Sequence, residues 1–376
     1  MSKVIGVISG LLGILQFSMD NFPKKQSNSC VVRVSTGLAS SGGLENPEGG
    51  VYKVHVFNQN QERIGWSNGK FISNGGFVDI KVDQGSNRQQ AAFATIEATA
   101  DGICIPYMSA TWVDEQKYGW VGDIGSYCGQ KWYYSNYWVR PPVFLHLSAT
   151  NHFLTMLSTE QVANTQPRCT WVDRDHSHGV KAGMIMVHWP SFHTNDNWVS
   201  GDPNPRSKCG YPGFRAYKNW GDAEVTEWWK RDDTNTTTPA EITIDDGVFD
   251  PNNFDGSKWV ETDYTSGDSS SVVIAGRQII KKRTVRKLDP RLVISNSPFH
   301  KASELCESET SFGPDFVSLV EGMYCNMETS ELLPLCTEGL QRGCFHLEQK
   351  THVKRDGVVS EGQKEYEHIL DWTTSN

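Results

Sequence analysis

VYKVHVF (51–57) and FVDIKVD (77–83) are the stretches that decide the fold. In the first, Tyr52, Val54 and Val56 alternate with Lys53 and His55; in the second, Val78, Ile80 and Val82 alternate with Asp79 and Lys81. A period of two puts one set of side chains on a buried face and the other towards solvent, the signature of a half-buried strand. Ala91 to Ala98 and Ile103 to Val113 read as further strands. Gly42-Gly43, Gly49-Gly50, Asn68-Gly69 and Asn74-Gly75-Gly76 punctuate them as turns. Short strands at this spacing predict a mainly β chain with an antiparallel sandwich or barrel.

The 376 residues exceed a typical single core, so two domains are expected. The first, 21–165, is β-sandwich-like with an aromatic-rich band; the second, 166–376, is β-rich, disulfide-stapled and carries short helices. A further strand is expected over Val180 to His188, with Ala182, Met184, Met186 and His188 on one face. Phe144 to Leu157 reads equally as a short helix or a covering loop. Arg231 to Ser271, rich in Asp, Thr, Asn, Gly and Ser, reads as an acidic surface loop. Its Asp245, Asp246, Asp250 and Asp255 lack EF-hand spacing, which favours a solvated loop over a calcium site. Ser297-Pro298 offers an N-cap and first-turn proline for a helix ending near Cys306, and Phe316 to Cys344 reads as a cysteine-tied hairpin.

Residues 1–20 carry Lys3 and then the apolar run VIGVISGLLGILQF (4–17), which has the length of a signal-peptide core and is short for a membrane span. Secretion is the favoured reading; an uncleaved anchor or a core strand stays open because no small-x-small cleavage site stands out. Nine cysteines without a C-x-x-C pair point to disulfides in an oxidising compartment, with at least one thiol left over. Cys306 with Cys325 and Cys336 with Cys344 are the expected C-terminal pairs. Asn235-Thr236-Thr237 is a glycosylation acceptor, consistent with that route.

A net charge of −9 opposes binding to nucleic acid or an anionic membrane. The basic run at Lys281, Lys282, Arg283, Arg286 and Lys287 is short and reads as a solvated edge or a dibasic processing site. No Walker A loop, G-x-S-x-G elbow or helix-opening G-x-G-x-x-G occurs, so nucleotide, serine-hydrolase and dinucleotide readings lose ground, and no cofactor is expected.

Two clusters can carry chemistry. Between Trp112 and Trp138 lie nine large aromatics in twenty-seven residues, among them Trp120, Trp132 and Tyr134. Such rings floor a core or wall a pocket for an apolar ligand; on the second reading Trp112, Trp120, Trp132, Tyr134, Trp138 and Trp189 bind substrate. Arg140 follows as a candidate cation, with a surface ion pair as its plainer role. The other cluster is WVDRDHSHG (171–179). His176 and His178, with His188 or His193, suit a metal site only if the rings converge, and Gly179 signals a turn instead. A polar hairpin tip, with Asp175 or Ser177 capping backbone amides, is the plainest reading, and an intermediate one gives Asp175, His176 or His178 acid/base work.

RLVISNSPFHKASELCESETSFGPDFVSLVEGMYCNMETSELLPLCTEGLQRGCFHLEQKTHV, from Arg291 to Val353, resembles the end of a family of secreted filamentous-fungal proteins. The segments Trp120 to Asn136 and Cys169 to Trp189 resemble the same family, so the likeness covers most of the chain. The family includes hetero-Diels–Alderases of tropolone-sesquiterpenoid pathways of the eupenifeldin and xenovulene type. The resemblance implies an enzyme that joins a tropolone quinone methide to a humulene-type olefin, taking small apolar substrates and no nucleotide. It transfers no catalytic residue. A non-enzymatic secreted binding protein, with tryptophans stacked on sugars, is the alternative, and a metal-dependent oxidase or hydrolase a third.

Overall fold

Val32 and Val34 of the first strand meet Val54 and Val56 of the second in one apolar core, and this contact organises the N-terminal part of the molecule. The structure, a computed structural model, describes residues 22–37, 49–73, 75–84, 89–137, 166–176, 179–192, 208–210, 212–219, 273–274, 277–278, 289–354 and 364–373. The expected leader over 1–20, the 144–157 segment, the expected 231–271 loop with Asn235, the 281–287 basic run, and Trp138, Arg140, His178 and His193 lie outside them.

The elements are β1 (Ser29–Ser35), β2 (Val51–Phe57), β3 (Arg63–Asn68), β4 (Phe77–Asp83), β5 (Phe93–Ala98), β6 (Ile103–Ile105), β7 (Tyr107–Thr111), β8 (Lys117–Val121), α1 (Gly122–Tyr127), β9 (Trp132–Tyr134), β10 (Arg168–Val172), β11 (Met184–His188) and β12 (Phe214–Tyr217). They continue with β13 (Val273–Ile274), β14 (Arg277–Gln278), β15 (Arg291–Ser295), α2 (Ala302–Glu307), β16 (Asp315–Ser318), β17 (Met323–Asn326), β18 (Glu331–Pro334), β19 (Cys344–His346), β20 (Thr351–Val353) and β21 (His368–Trp372).

The expected mainly β, disulfide-stapled architecture is what forms. A four-stranded antiparallel sheet, β4-β1-β7-β8, and a five-stranded one, β12-β11-β5-β2-β3, contribute their inner faces to one core. Ile80, Val82, Met108 and Trp120 come from the first; Ala94, Ile96, Ile185 and Phe214 come from the second. Trp120 stacks on Phe214 with centroids 5.3 Å apart. Full burial of each such side chain contributes roughly 1.5–3 kcal/mol.

The strand expected over Ile103 to Val113 is two strands. Pro106 has no N–H to give a ladder, and the chain changes sheets there: β6 pairs with β10, whereas β7 pairs with β1. Tyr52 also departs from its expected face. The β2–β5 register slips between Val51 and Lys53, a bulge that leaves Tyr52 unpaired. Val51 takes the core side with Val54, and Tyr52 turns out beside Lys53.

Strand pairing crosses the boundary expected at 165/166. β10 joins β6 and β9 in a three-stranded sheet, and β11 with β12 extends the β5-β2-β3 sheet. The C-terminal residues form their own five-stranded sheet, β18-β17-β16-β15-β21, in which β15 runs parallel to both β16 and β21. It is thus a mixed sheet rather than a lone hairpin. The expected helix start at Ser297 is also corrected: Ser297 Oγ accepts the Phe299 N–H in a turn, and α2 begins at Ala302 after Lys301. This part docks on β9. Tyr133 donates its hydroxyl to Pro314 O at 2.8 Å, and Trp171 donates its indole N–H to Phe312 O at 2.7 Å. Gly313 lies against the Tyr133 ring, where a Cβ would stand 2.5 Å from a ring carbon.

Four disulfides form. Cys306–Cys325 and Cys336–Cys344 are the expected C-terminal pairs. Cys104–Cys169 joins β6 to β10, and Cys128–Cys209 joins the end of α1 to the approach to β12. The thiol left over is Cys30, buried in β1 and pushed up to about 12 by that burial, which keeps it protonated and unreactive. Four disulfides indicate folding in an oxidising compartment. Among the described residues no helix is long and apolar enough to cross a membrane.

Candidate functional site

The bulge at Tyr52 and the pairing of His55 with Trp66 create a pocket on the outer face of the β12-β11-β5-β2-β3 sheet. It measures about 460 Å³ and is lined by Tyr52, Lys53, His55, Arg63, Trp66, Glu97 and Arg174. That volume falls within the roughly 300–1,000 Å³ range of small-molecule sites.

Each side chain has a backbone reason for its place. Lys53 and His55 alternate outward from β2, and cross-strand register sets Glu97 opposite Lys53 and Trp66 opposite His55. Trp66 stands on edge strand β3 and is 50% exposed; Tyr52 is 37% exposed. Arg174 enters from the turn after β10, anchored by its backbone N–H on Thr99 O at 3.2 Å.

The charges and rings interleave. The Arg174 guanidinium lies 3.8 Å from the Tyr52 ring centre, and its Nε is 3.3 Å from Glu97 Oε1. The Lys53 ammonium is 5.0 Å from the Tyr52 centroid and 5.6 Å from that of Trp66. His55 and Trp66 stack at 6.3 Å. Burial raises the Glu97 carboxyl above its ordinary range, against the pull of Arg174 and Lys53. Burial, reinforced by Arg63 and Lys53, lowers His55 to about 4, so its imidazole is neutral at physiological pH. The pocket thus offers aromatic walls, cations, a neutral imidazole and a carboxyl whose proton affinity burial raises.

Beyond the pocket the same face continues across β5 to β11. Phe57, Phe93, Met184, Met186 and Tyr217 form a second apolar cluster, fully buried. Met184, Met186 and His188 share this face, as the alternation over Val180 to His188 predicted. His188 is held by Ser191 Oγ at 2.7 Å and Gln59 Oε1 at 3.1 Å, and burial lowers it to about 4.

The aromatics expected to bind substrate pack the interior. Trp112, Trp120, Trp132, Tyr134 and Trp189 are each at most 3% exposed and none lines the pocket. Trp132 lies under the Arg168 guanidinium, 4.3 Å away, and donates its N–H to Ser308 Oγ at 3.1 Å. The Tyr134 hydroxyl donates to Glu304 and accepts the Lys301 N–H. Asp175 is exposed, and His176 adopts a left-handed backbone (φ 60°) with Nδ1 3.0 Å from Val180 O. Neither lines the pocket, although their neighbour Arg174 does. Among the described residues no three potential metal-ligating side chains converge.

Sequence reasoning missed Trp66, Arg63, Glu97 and Tyr52. Lys53 and His55 were legible as the outward set of β2, but in RIGWSN (63–68) Ile64 and Trp66 alternate with Arg63, Gly65 and Ser67 as an inward pair would, and the bulge that turns Tyr52 outward leaves no mark in composition. No protein-family model matches the chain, and no curated protein matches it either.

Proposed function

We propose that the chain is a secreted pericyclase of fungal secondary metabolism, catalysing an intermolecular hetero-Diels–Alder reaction between a tropolone quinone methide and a humulene-type olefin in the Tyr52–Trp66 pocket. One observation carries the reading: a carboxyl with a raised pKa, Glu97, faces an arginine and a lysine inside a pocket walled by Trp66 and Tyr52. The resemblance of the sequence to the fungal family supports it from outside the pocket.

The chemistry follows from that set. Arg174 and Lys53 hold the ring oxygens of a hydroxymethyl tropolone. Glu97 gives its proton to the hydroxymethyl oxygen, the C–O bond breaks, and water leaves as electrons from the ring oxygen, whose own proton is lost to solvent, close the exocyclic double bond of the quinone methide. Bulk solvent returns the proton to Glu97. The olefin then adds across the heterodiene in a step without a covalent protein intermediate. The protein's contribution there is pose, with the cations stabilising charge that gathers on oxygen.

A binding-protein reading has one specific support, the half-exposed Trp66 beside Tyr52, since such rings stack on sugar faces. Incubation of the purified protein with a hydroxymethyl tropolone and a humulene alcohol, followed by mass spectrometry and chiral chromatography, separates the two. The expected result is one enantiomer of adduct formed faster than in buffer. Racemic adduct at the buffer rate refutes catalysis and leaves the binding-protein reading, which glycan titration of the parent and Trp66→Ala then tests.

A further inference from the structure

We propose that this pocket takes its ligand as a planar anion: a flat unsaturated ring carrying an ionised enol, phenol or carboxyl group, with the ring against Trp66 and its oxygens on Arg174 and Lys53. The inference rests on that reading only for the pocket being the ligand site, not for the reaction that follows.

Charge placement is the first argument. The chain carries a net charge of −9, yet among the described residues that line the pocket Lys53 and Arg174 stand beside one carboxyl, Glu97. A cleft of sign opposite to its surroundings concentrates ligands of the complementary charge. The neutral imidazole of His55 adds a hydrogen-bonding group without altering that balance.

Geometry is the second. Arg174 is fixed by stacking on Tyr52 and by Glu97 at Nε, while 45% of its side chain stays exposed to an incoming group. A planar guanidinium recognises two neighbouring oxygens through parallel N–H bonds, and a stacked one is already oriented for them. Trp66 provides a flat, half-exposed face beside the Lys53 ammonium. A bare inorganic anion would leave that face unused, and a neutral ring would offer no anionic oxygen to the Lys53 ammonium or to the exposed part of the Arg174 guanidinium.

Calorimetric titration of the full chain tests this with tropolone at a pH where its enol is ionised, tropone as the neutral ring, and inorganic phosphate as the ringless anion. Tropolone is expected to bind at least about tenfold tighter than either, the difference one or two charge-assisted hydrogen bonds make. Its affinity should fall as salt is raised to about 1 M, where screening acts over roughly 3 Å. Arg174→Gln and Lys53→Met, checked for unchanged melting temperature, should each weaken tropolone and leave tropone unaffected. Equal affinity for tropone or phosphate, no tropolone binding, or salt-insensitive binding overturns the inference on the unmodified protein alone. Anion-selective binding without adduct formation removes the pericyclase and leaves the inference; adduct formation without anion preference does the reverse.

Discussion

Arg174 stacks on Tyr52 with its guanidinium carbon 3.8 Å from the ring centre, and so joins the turn after β10 to a bulge in β2. Both side chains are well exposed, so their contact contributes little to stability. Arg174→Ala should therefore leave the melting temperature within a degree or two of the parent, roughly the effect of a surface change. Adduct formation should fall by about tenfold or more, the loss of one charge-assisted contact. Asp175→Asn and His176→Ala should cost less than Arg174→Ala. Should the histidine variant prove the more damaging in initial-rate assays, the catalytic weight returns to Asp175 and His176.

Trp66 and Trp120 distinguish pocket from core. Trp120 is 1% exposed and stacked on Phe214, so Trp120→Ala should destabilise by about 3–5 kcal/mol in denaturant unfolding. Trp66→Ala should move stability by less than about 1 kcal/mol and weaken ligand capture instead. A Trp120 variant that melts normally but loses activity would place the aromatic band at the site after all.

Protonation of buried imidazoles sets the acid limit of stability. His188 and His55 are lowered from 6.5 to about 4, chiefly by burial. The unfolded chain binds these protons more readily, so the stability is intact above pH 6.5 and is lost as pH falls towards 4. Fully developed, the loss is on the order of 2–3 kcal/mol per ring. Asp123 acts in the opposite sense: burial raises it from 3.8 to about 6, so its effect is stabilising at low pH and fades as pH rises through 6. Melting temperatures between pH 4 and 7.5 should rise with pH as His188, His55 and His300, the last lowered to about 3, outweigh the raised carboxyls of Asp123 and Glu97. A flat or falling profile would contradict that ordering.

Disulfide content is directly countable. Denatured, unreduced protein should expose one reactive thiol, Cys30, and reduction should release eight more. Cys306→Ser with Cys325→Ser should cost about 3 kcal/mol, the chain-entropy value for a loop of that 19-residue separation. Nearly complete thiol reactivity before reduction would remove the oxidising-compartment argument.

How much the sequence determined follows from the range of each interaction. Alternation in 51–57 and 77–83 reports the burial of each strand's own faces, so strand existence and the mainly β class were legible. Short-range cysteine pairs were legible for the same reason, since Cys336 and Cys344 are only eight residues apart. The aromatic band was visible, but a buried indole and a ligand-facing one have the same local sequence. Only the packing of Phe214 on Trp120 and of Arg168 on Trp132 assigns those rings to the interior. The pocket was not legible at all, because it depends on register: a bulge at Tyr52, Trp66 opposite His55, and Arg174 arriving from a strand more than a hundred residues later in the chain. Pairings between distant strands are chosen by the joint burial of two sheets, a property of the whole chain that no local pattern encodes.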